Sequence, residues 1–207
     1  MAHRFSAPAL VILLLCVPVL AGGDSDKTKA IGNPFGTTKV GDFAVYKRDY
    51  GNVIIIEGHE TWKKTVTAKD EKSVKLKVEG NPAGYGINVE GNKVEWTIDL
   101  TKPYDMVLEA VRMVHLVRKE DKFEKIGEGT EKIKVAGKEY NAHWITGKLT
   151  SKQPGVGEVI PNIKVWFSKD APQDGLLRIK TGPKKEETGF IKEKTIVVEL
   201  SESGSTK

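Results

Sequence analysis

Four histidines and one cysteine are all that the 207-residue chain offers for nucleophilic or soft-metal chemistry. Cys16 lies inside an apolar run near the amino terminus, so removal of that run leaves no disulfide, thiolate nucleophile or cysteine metal ligand. The histidines beyond it are His59, His115 and His143. None has the four-residue spacing of a helical zinc pair. Glu57 and His59 point the same way on a strand and could seat two ligands of a metal, but a solvated polar face accounts for them equally well. His115, between Val114 and Leu116, sits at a helix edge. His143 is the better candidate for a base, although strand alternation turns it away from its neighbour Trp144. A serine hydrolase needs a serine activated by a histidine with an orienting acid. No Gly-x-Ser-x-Gly elbow is present to offer one. Carboxylates are abundant, so counting them does not exclude a glycosidase. The glycine-rich "GNPAGYGINVEGN" lacks the Gly-Lys-Ser/Thr ending of a phosphate loop and opens no helix, so it is a turn cluster. These residues name no reaction, no cofactor and no metal.

The four tryptophans, Trp62, Trp96, Trp144 and Trp166, are more informative, because all fall within period-two alternation. They are either core residues of a β-protein or the lining of a cleft in which a lipid or another apolar group lies. Both arrangements bury them, so the four stand as candidate ligand-binding residues. Trp166 belongs to "IKVWFSKDAPQDGLLRIKT", in which Ile163, Val165 and Phe167 share one face and Trp166 takes the other. Pro172 presets its own φ and Asp174-Gly175 offers a position for positive φ, so the segment reads as a hairpin. With apolar residues on both of its faces, something must cover the second one.

Alternation positions these residues along most of the chain. "DFAVYKRD" sets Phe43 and Val45 against Tyr46 and Arg48, and "NVIIIEGHETWKKTVTA" keeps Ile54, Ile56, Trp62 and Val66 in phase. "KSVKLKVEG" alternates Val74, Leu76 and Val78 with polar residues, and Val94, Trp96, Ile98 and Leu100 share a face after a turn at Glu90-Gly91-Asn92. Ala136-Gly137-Lys138 makes another hairpin turn. One segment breaks the rhythm: Val107, Ala110, Val111, Val114 and Val117 recur at three and four, which predicts a helix over Tyr104 to Arg118 with Pro103 at its entrance. Its valines also suit a strand.

The amino terminus has the form of a signal peptide, with the basic "MAHRF", the apolar "APALVILLLCVPVL" and a cleavage site at Ala21. The apolar run is shorter than the roughly 20 residues of a membrane span. Gly23 stands where a lipid-accepting cysteine would be in a lipoprotein signal. The expected product is a soluble periplasmic or extracellular protein starting between Gly22 and Asp24, with no membrane span. Residues 22–38 read as a flexible tether, 39–201 as one β-rich domain and 202–207 as a disordered tail. The 33 Lys and Arg and 28 Asp and Glu alternate instead of forming a basic stripe, so nucleic acid is not an expected partner.

"GKEYNAHWITGKLT" followed by "IKVWFSKDAPQDGLLRIKT" resembles a group of secreted bacterial β-proteins without established activity. That group is similar in architecture to the periplasmic lipoprotein carriers, an open curved antiparallel sheet wrapped around a helix. The resemblance covers about the last 75 residues and implies a fold, not an activity. The expected fold is mainly β, an antiparallel curved sheet or half-barrel of roughly nine to eleven strands with one covering helix, with a β-sandwich as the alternative. The expected function is non-catalytic: binding a lipid, a lipidated protein or an apolar partner segment in the concavity of the sheet. A structural domain with a filled core, and a hydrolase using His143, are the alternatives.

Overall fold

The computed structural model describes residues 33–49, 60–80, 93–114, 121–150, 159–182 and 195–206. Their alternating runs form nine strands: β1 (Asp42–Asp49), β2 (Glu60–Lys69), β3 (Ser73–Gly80), β4 (Lys93–Asp99), β5 (Lys122–Val135), β6 (Lys138–Thr150), β7 (Val159–Phe167), β8 (Leu176–Thr181) and β9 (Ile196–Ser205). One helix, α1 (Met106–Arg112), lies between β4 and β5. The strands make a single open, curved antiparallel sheet in the order β4-β3-β2-β1-β9-β8-β7-β6-β5, not a sandwich and not a closed barrel.

Direct cross-strand partners define the faces. Val165, Ile179, Val198 and Arg48 lie in one row, and Tyr46 opposes Trp62 on the same side. This inner face continues through Lys64, Val66, Leu76 and Trp96 and is the one on which α1 packs. A smaller cluster of Phe35, Val66, Val74 and Leu76, joined by Ile98, Leu100 and Tyr104, closes its far end. Beyond Ala142 the β5–β6 hairpin runs past the end of β7 and buries Ile133, Val135 and Tyr140. Its turn is built from Ala136 and Gly137, both at positive φ, as a two-residue type I′ hairpin turn requires.

Three boundaries differ from the sequence expectation. The helix is shorter than Tyr104 to Arg118: Asp105 is its N-cap, its carboxylate accepting from Leu108 N at 2.9 Å, and the last intrahelical turn closes at Val114. Valine-rich turns add little helix propensity of their own, so α1 is short and depends on its packing against the sheet. The tether does not extend to residue 38. Asn33 caps a 3-10 turn over Pro34–Thr37, and the Phe35 it presents is fully buried edge-on to Tyr104. The expected tail is strand: β9 continues to Ser205, opposite Asp42. Backbone pairing with β1 holds these small polar residues, and the Phe43 ring lies against Gly204, where a Cβ would come within 2.9 Å of it. The signal segment, Ile54, Ile56, Glu57, His59, His115, Val117 and the turn at Glu90-Gly91-Asn92 lie outside the described residues.

Among the described residues no helix is long and apolar enough to cross a membrane. Because Phe35 is core, Phe35→Ala is expected to cost about 3–5 kcal/mol. Urea denaturation of the chain starting at Gly22 checks this, and a loss under about 1 kcal/mol would return residues 33–38 to a tether.

Candidate functional site

Strand β2 should present an apolar row to the core, and two of its three members do: Trp62 and Val66 are buried. The third is Lys64, equally buried. Its ammonium lies 2.8 Å from Asp174 Oδ2, with the two side chains 2% and 4% exposed. Asp174 comes from the β7–β8 loop, whose tip is bent inward by positive φ at Gln173 and Gly175. Gln173 secures the tip by donating from Nε2 to the Asp42 and Lys64 carbonyls at 3.2 and 3.1 Å. The Tyr46 hydroxyl lies 3.3 Å from both Asp174 Oδ1 and the Leu176 carbonyl. A loop between β7 and β8 is thereby tied to β1 and β2 across the inner face. Two buried charges are costly to desolvate, so they require each other.

A second buried cation lies beside this pair. Arg48, with its side chain 1% exposed, donates to Glu60 at 2.8 Å and to the Met113 carbonyl, just past α1, at 2.7 Å. Its guanidinium sits 5.1 Å from the centre of the Trp62 ring. Trp62 is stacked on Tyr46, with centroids 5.9 Å apart. Gly80 lets β3 approach closely here, since a Cβ at that position would fall 2.9 Å from Trp62 Cβ. Among the described residues, neither Trp62 Nε1 nor Gln173 Oε1 has a hydrogen-bond partner. A buried donor left unmade costs about 1–3 kcal/mol, so it marks a place where packing alone does not explain the residue.

Helix α1 adds Glu109, paired with Arg112. Burial raises the Glu109 pKa above its ordinary 4.5, and the Arg112 and Lys64 charges offset this only in part, while Asp105 and Asp174 repel it. The apolar side chains Met106, Val107 and Leu108 on the helix, Trp96 on β4 and Phe123 on β5 pack on the core half-buried.

The opposite face carries a different construction. Trp144 and Trp166 are direct partners, and Trp166, Arg178 and Glu199 continue the row. Lys164 Nζ lies 4.5 Å from one indole centroid and 4.6 Å from the other, and Arg178 lies 5.7 Å from Trp166 on its other neighbour strand. Trp166 Nε1 donates to Glu131, which also takes Lys164 at 3.0 Å, and Arg178 pairs with Glu199 at 2.5 Å. Trp144 lies against Gly129, where a Cβ would fall 2.6 Å from Cζ2. Cations stacked on aromatic faces, with their charges answered by glutamates, make a structural ladder.

The four candidate tryptophans are therefore not brought together. Trp62 and Trp96 lie on the inner face, and Trp144 and Trp166 on the other. His143 pairs with Glu128 at 3.3 Å, both about half exposed and away from the buried charges. Among the described residues no three His, Cys, Asp or Glu side chains gather as metal ligands. Sequence reasoning missed Arg48, Lys64, Asp174 and Glu109. The available signal was phase: Lys64 stands in register between Trp62 and Val66, and Arg48 follows Tyr46 by two.

Asp174→Ala leaves a buried ammonium unpaired and is expected to cost about 3–5 kcal/mol, whereas the double change Lys64→Met with Asp174→Leu recovers most of it. Equilibrium unfolding of the single and double variants measures this, and an additive double would remove the pair from the core of the fold. For Glu109 the sign is opposite to that of an ordinary paired carboxylate. A folded-state pKa raised above 4.5 stabilises the fold at acid pH, and this contribution is lost as the pH rises through the raised value. Glu109→Gln is expected to flatten that part of the stability–pH curve, and an unchanged curve would contradict it.

No protein-family model matches the chain, and no curated protein sequence is significantly similar to it. Among solved structures the chain is similar to a Bacteroides fragilis NCTC 9343 protein with a YmcC-like fold, at 8% identity and a TM-score of 0.44, over 83% of this chain and 99% of that one. It is also similar to MucB at 9% identity and a TM-score of 0.39, over 89% of this chain and 60% of that one, so it spans about three fifths of MucB's length. Likenesses this distant carry no conclusion about activity, which must be argued from the residues.

Proposed function

We propose that this chain is a non-catalytic protein of the cell envelope that takes an amphipathic or apolar ligand, such as a lipid or the lipid of a lipidated protein, on the α1-bearing face of its sheet. The observation that carries the proposal is the rim of α1. Met106, Val107 and Leu108 on α1, Trp96 on β4 and Phe123 on β5 pack half-buried against the core. Apolar side chains held on the sheet beside a short helix give a chain-like ligand a place to lie. In this proposal Trp96 lines the seat and Trp62 lies at its floor, while Trp144 and Trp166 hold the opposite face together. A filled-core structural domain is favoured instead by the full burial of Trp62, Tyr46, Arg48 and Lys64 beneath α1.

Titration of the exported chain with cis-parinaric acid separates the two. Saturable binding is expected, weakened at least fivefold by Trp96→Ala and unchanged by Thr67→Ala on the opposite face. Absence of saturable binding, together with a native mass free of copurified lipid, would leave the filled-core domain.

A further inference from the structure

Among the described strands, every pairing but one joins neighbours in sequence, so β1 to β4 make one meander and β5 to β9 another. The exception is β1 with β9, paired from Asp42 to Asp49. Along this seam the Ser201 hydroxyl donates to the Val45 carbonyl across 156 positions of chain. Meanders built from local contacts are the usual candidates for units that fold and open by themselves. The buried groups, however, are divided between the two. Ala44, Tyr46, Trp62 and Val78 share one core with later residues such as Leu176 and Leu200. The buried cluster confined to the first meander and the turn before it is small: Phe35, Val66, Val74 and Leu76. A core of that size gives little burial to set against chain entropy. The buried charges are split as well, with Lys64 in the first meander and Asp174, 110 positions later, in the second. The Tyr46 hydroxyl and the Gln173 amide make their bonds across the same divide. Just past β9, Thr206 donates to the Gly41 carbonyl from N and Oγ1 at 2.9 and 3.1 Å, and Gly41 N donates to the Val66 carbonyl. Gly41 has φ +92°, and a Cβ there would fall 2.3 Å from the Thr206 carbonyl oxygen. The far end of the seam is thus clamped to both β1 and β2.

We propose that β9 is the closing strand of this fold: neither meander holds its native structure alone, and pairing of β9 with β1 forms both at once, together with the Lys64–Asp174 pair. This device needs no ligand and stands apart from the α1-bearing seat. Contacts so distant in sequence form slowly. For a protein of the cell envelope the consequence is a chain that stays unfolded, and so able to thread through a membrane, for as long as β9 is unmade or unpaired.

The test refolds the exported chain from urea and labels it with short hydrogen-exchange pulses at successive times. Amides of Leu76 and Val78 report β3, those of Ile145 and Val165 report β6 and β7, and those of Tyr46 and Val198 report the seam. All three sets are expected to gain protection together, at rates within about twofold of one another. Protection of either meander ahead of the seam would overturn the proposal. A second measurement uses the full chain with Val198→Pro, which removes a backbone donor from the middle of β9. Loss of protection in both meanders is the expected result, and a meander that stays protected without the seam would overturn the proposal as well. Because the variant is expected not to fold, the order of protection in the unmodified chain separates a closing strand from general destabilisation.

Discussion

The Lys64–Asp174 ion pair is the constraint around which the inner face is organised. A buried ammonium is tolerable only with its carboxylate at hydrogen-bond distance, and the two residues arrive from β2 and from the β7–β8 loop, 110 positions apart. Satisfying that pair fixes the loop over the sheet. The fixed loop in turn places Gln173 on the β1 and β2 carbonyls and Asp174 under the Tyr46 hydroxyl. Tyr46 then sets the plane on which Trp62 stacks, and Trp62 lies beneath Arg48, which grips α1. Helix placement thus follows from one desolvated charge pair through a chain of contacts. A buried pair of this kind is weak evidence for stability and better evidence for a single arrangement, because every alternative register leaves a charge unpaired.

The two faces of the sheet handle their cations differently. On the α1-bearing face the charges are enclosed and individually matched. On the other, Lys164 and Arg178 lie against tryptophan rings with glutamates at hand, partly open to water, where each contact contributes modestly and the row acts together. Lys164, Arg178 and Glu131 occupy the surroundings of the buried Trp166. The long edge strand β5 is charged along its length and carries a bulge at Ile126, whose side chain is 68% exposed. Bulges and charges on an edge oppose strand-to-strand association between copies, so a lone exposed isoleucine there does not mark an interface.

Much of the fold was legible in the sequence because side-chain direction in a strand is a local property with period two. Alternation in "KSVKLKVEG" gave β3 and its buried face, Ala136-Gly137 gave a turn that needs positive φ, and the Pro-Gln-Asp-Gly hinge gave the β7–β8 loop. The three- and four-residue spacing after Pro103 gave the helix, and only its length was overestimated. What could not be seen locally was which polar residues would be buried. Lys64 and Arg48 are solvated residues by type, and only their phase with Trp62 and Tyr46 hinted otherwise.

By itself the sequence determined a β-rich chain with one helix, the faces of most strands and a single thiol, Cys16. These follow from composition and from periodicities a few residues long. Tertiary structure alone decided the strand order, and with it that β1 lies between β2 and β9, that polar residues up to Ser205 are strand, and that the four tryptophans divide between two faces. It also decided that Lys64 meets Asp174 and that Arg48 meets the end of α1. Strand order and charge pairing depend on which distant segments minimise unpaired backbone and unpaired charge together, and no window of the sequence contains both partners.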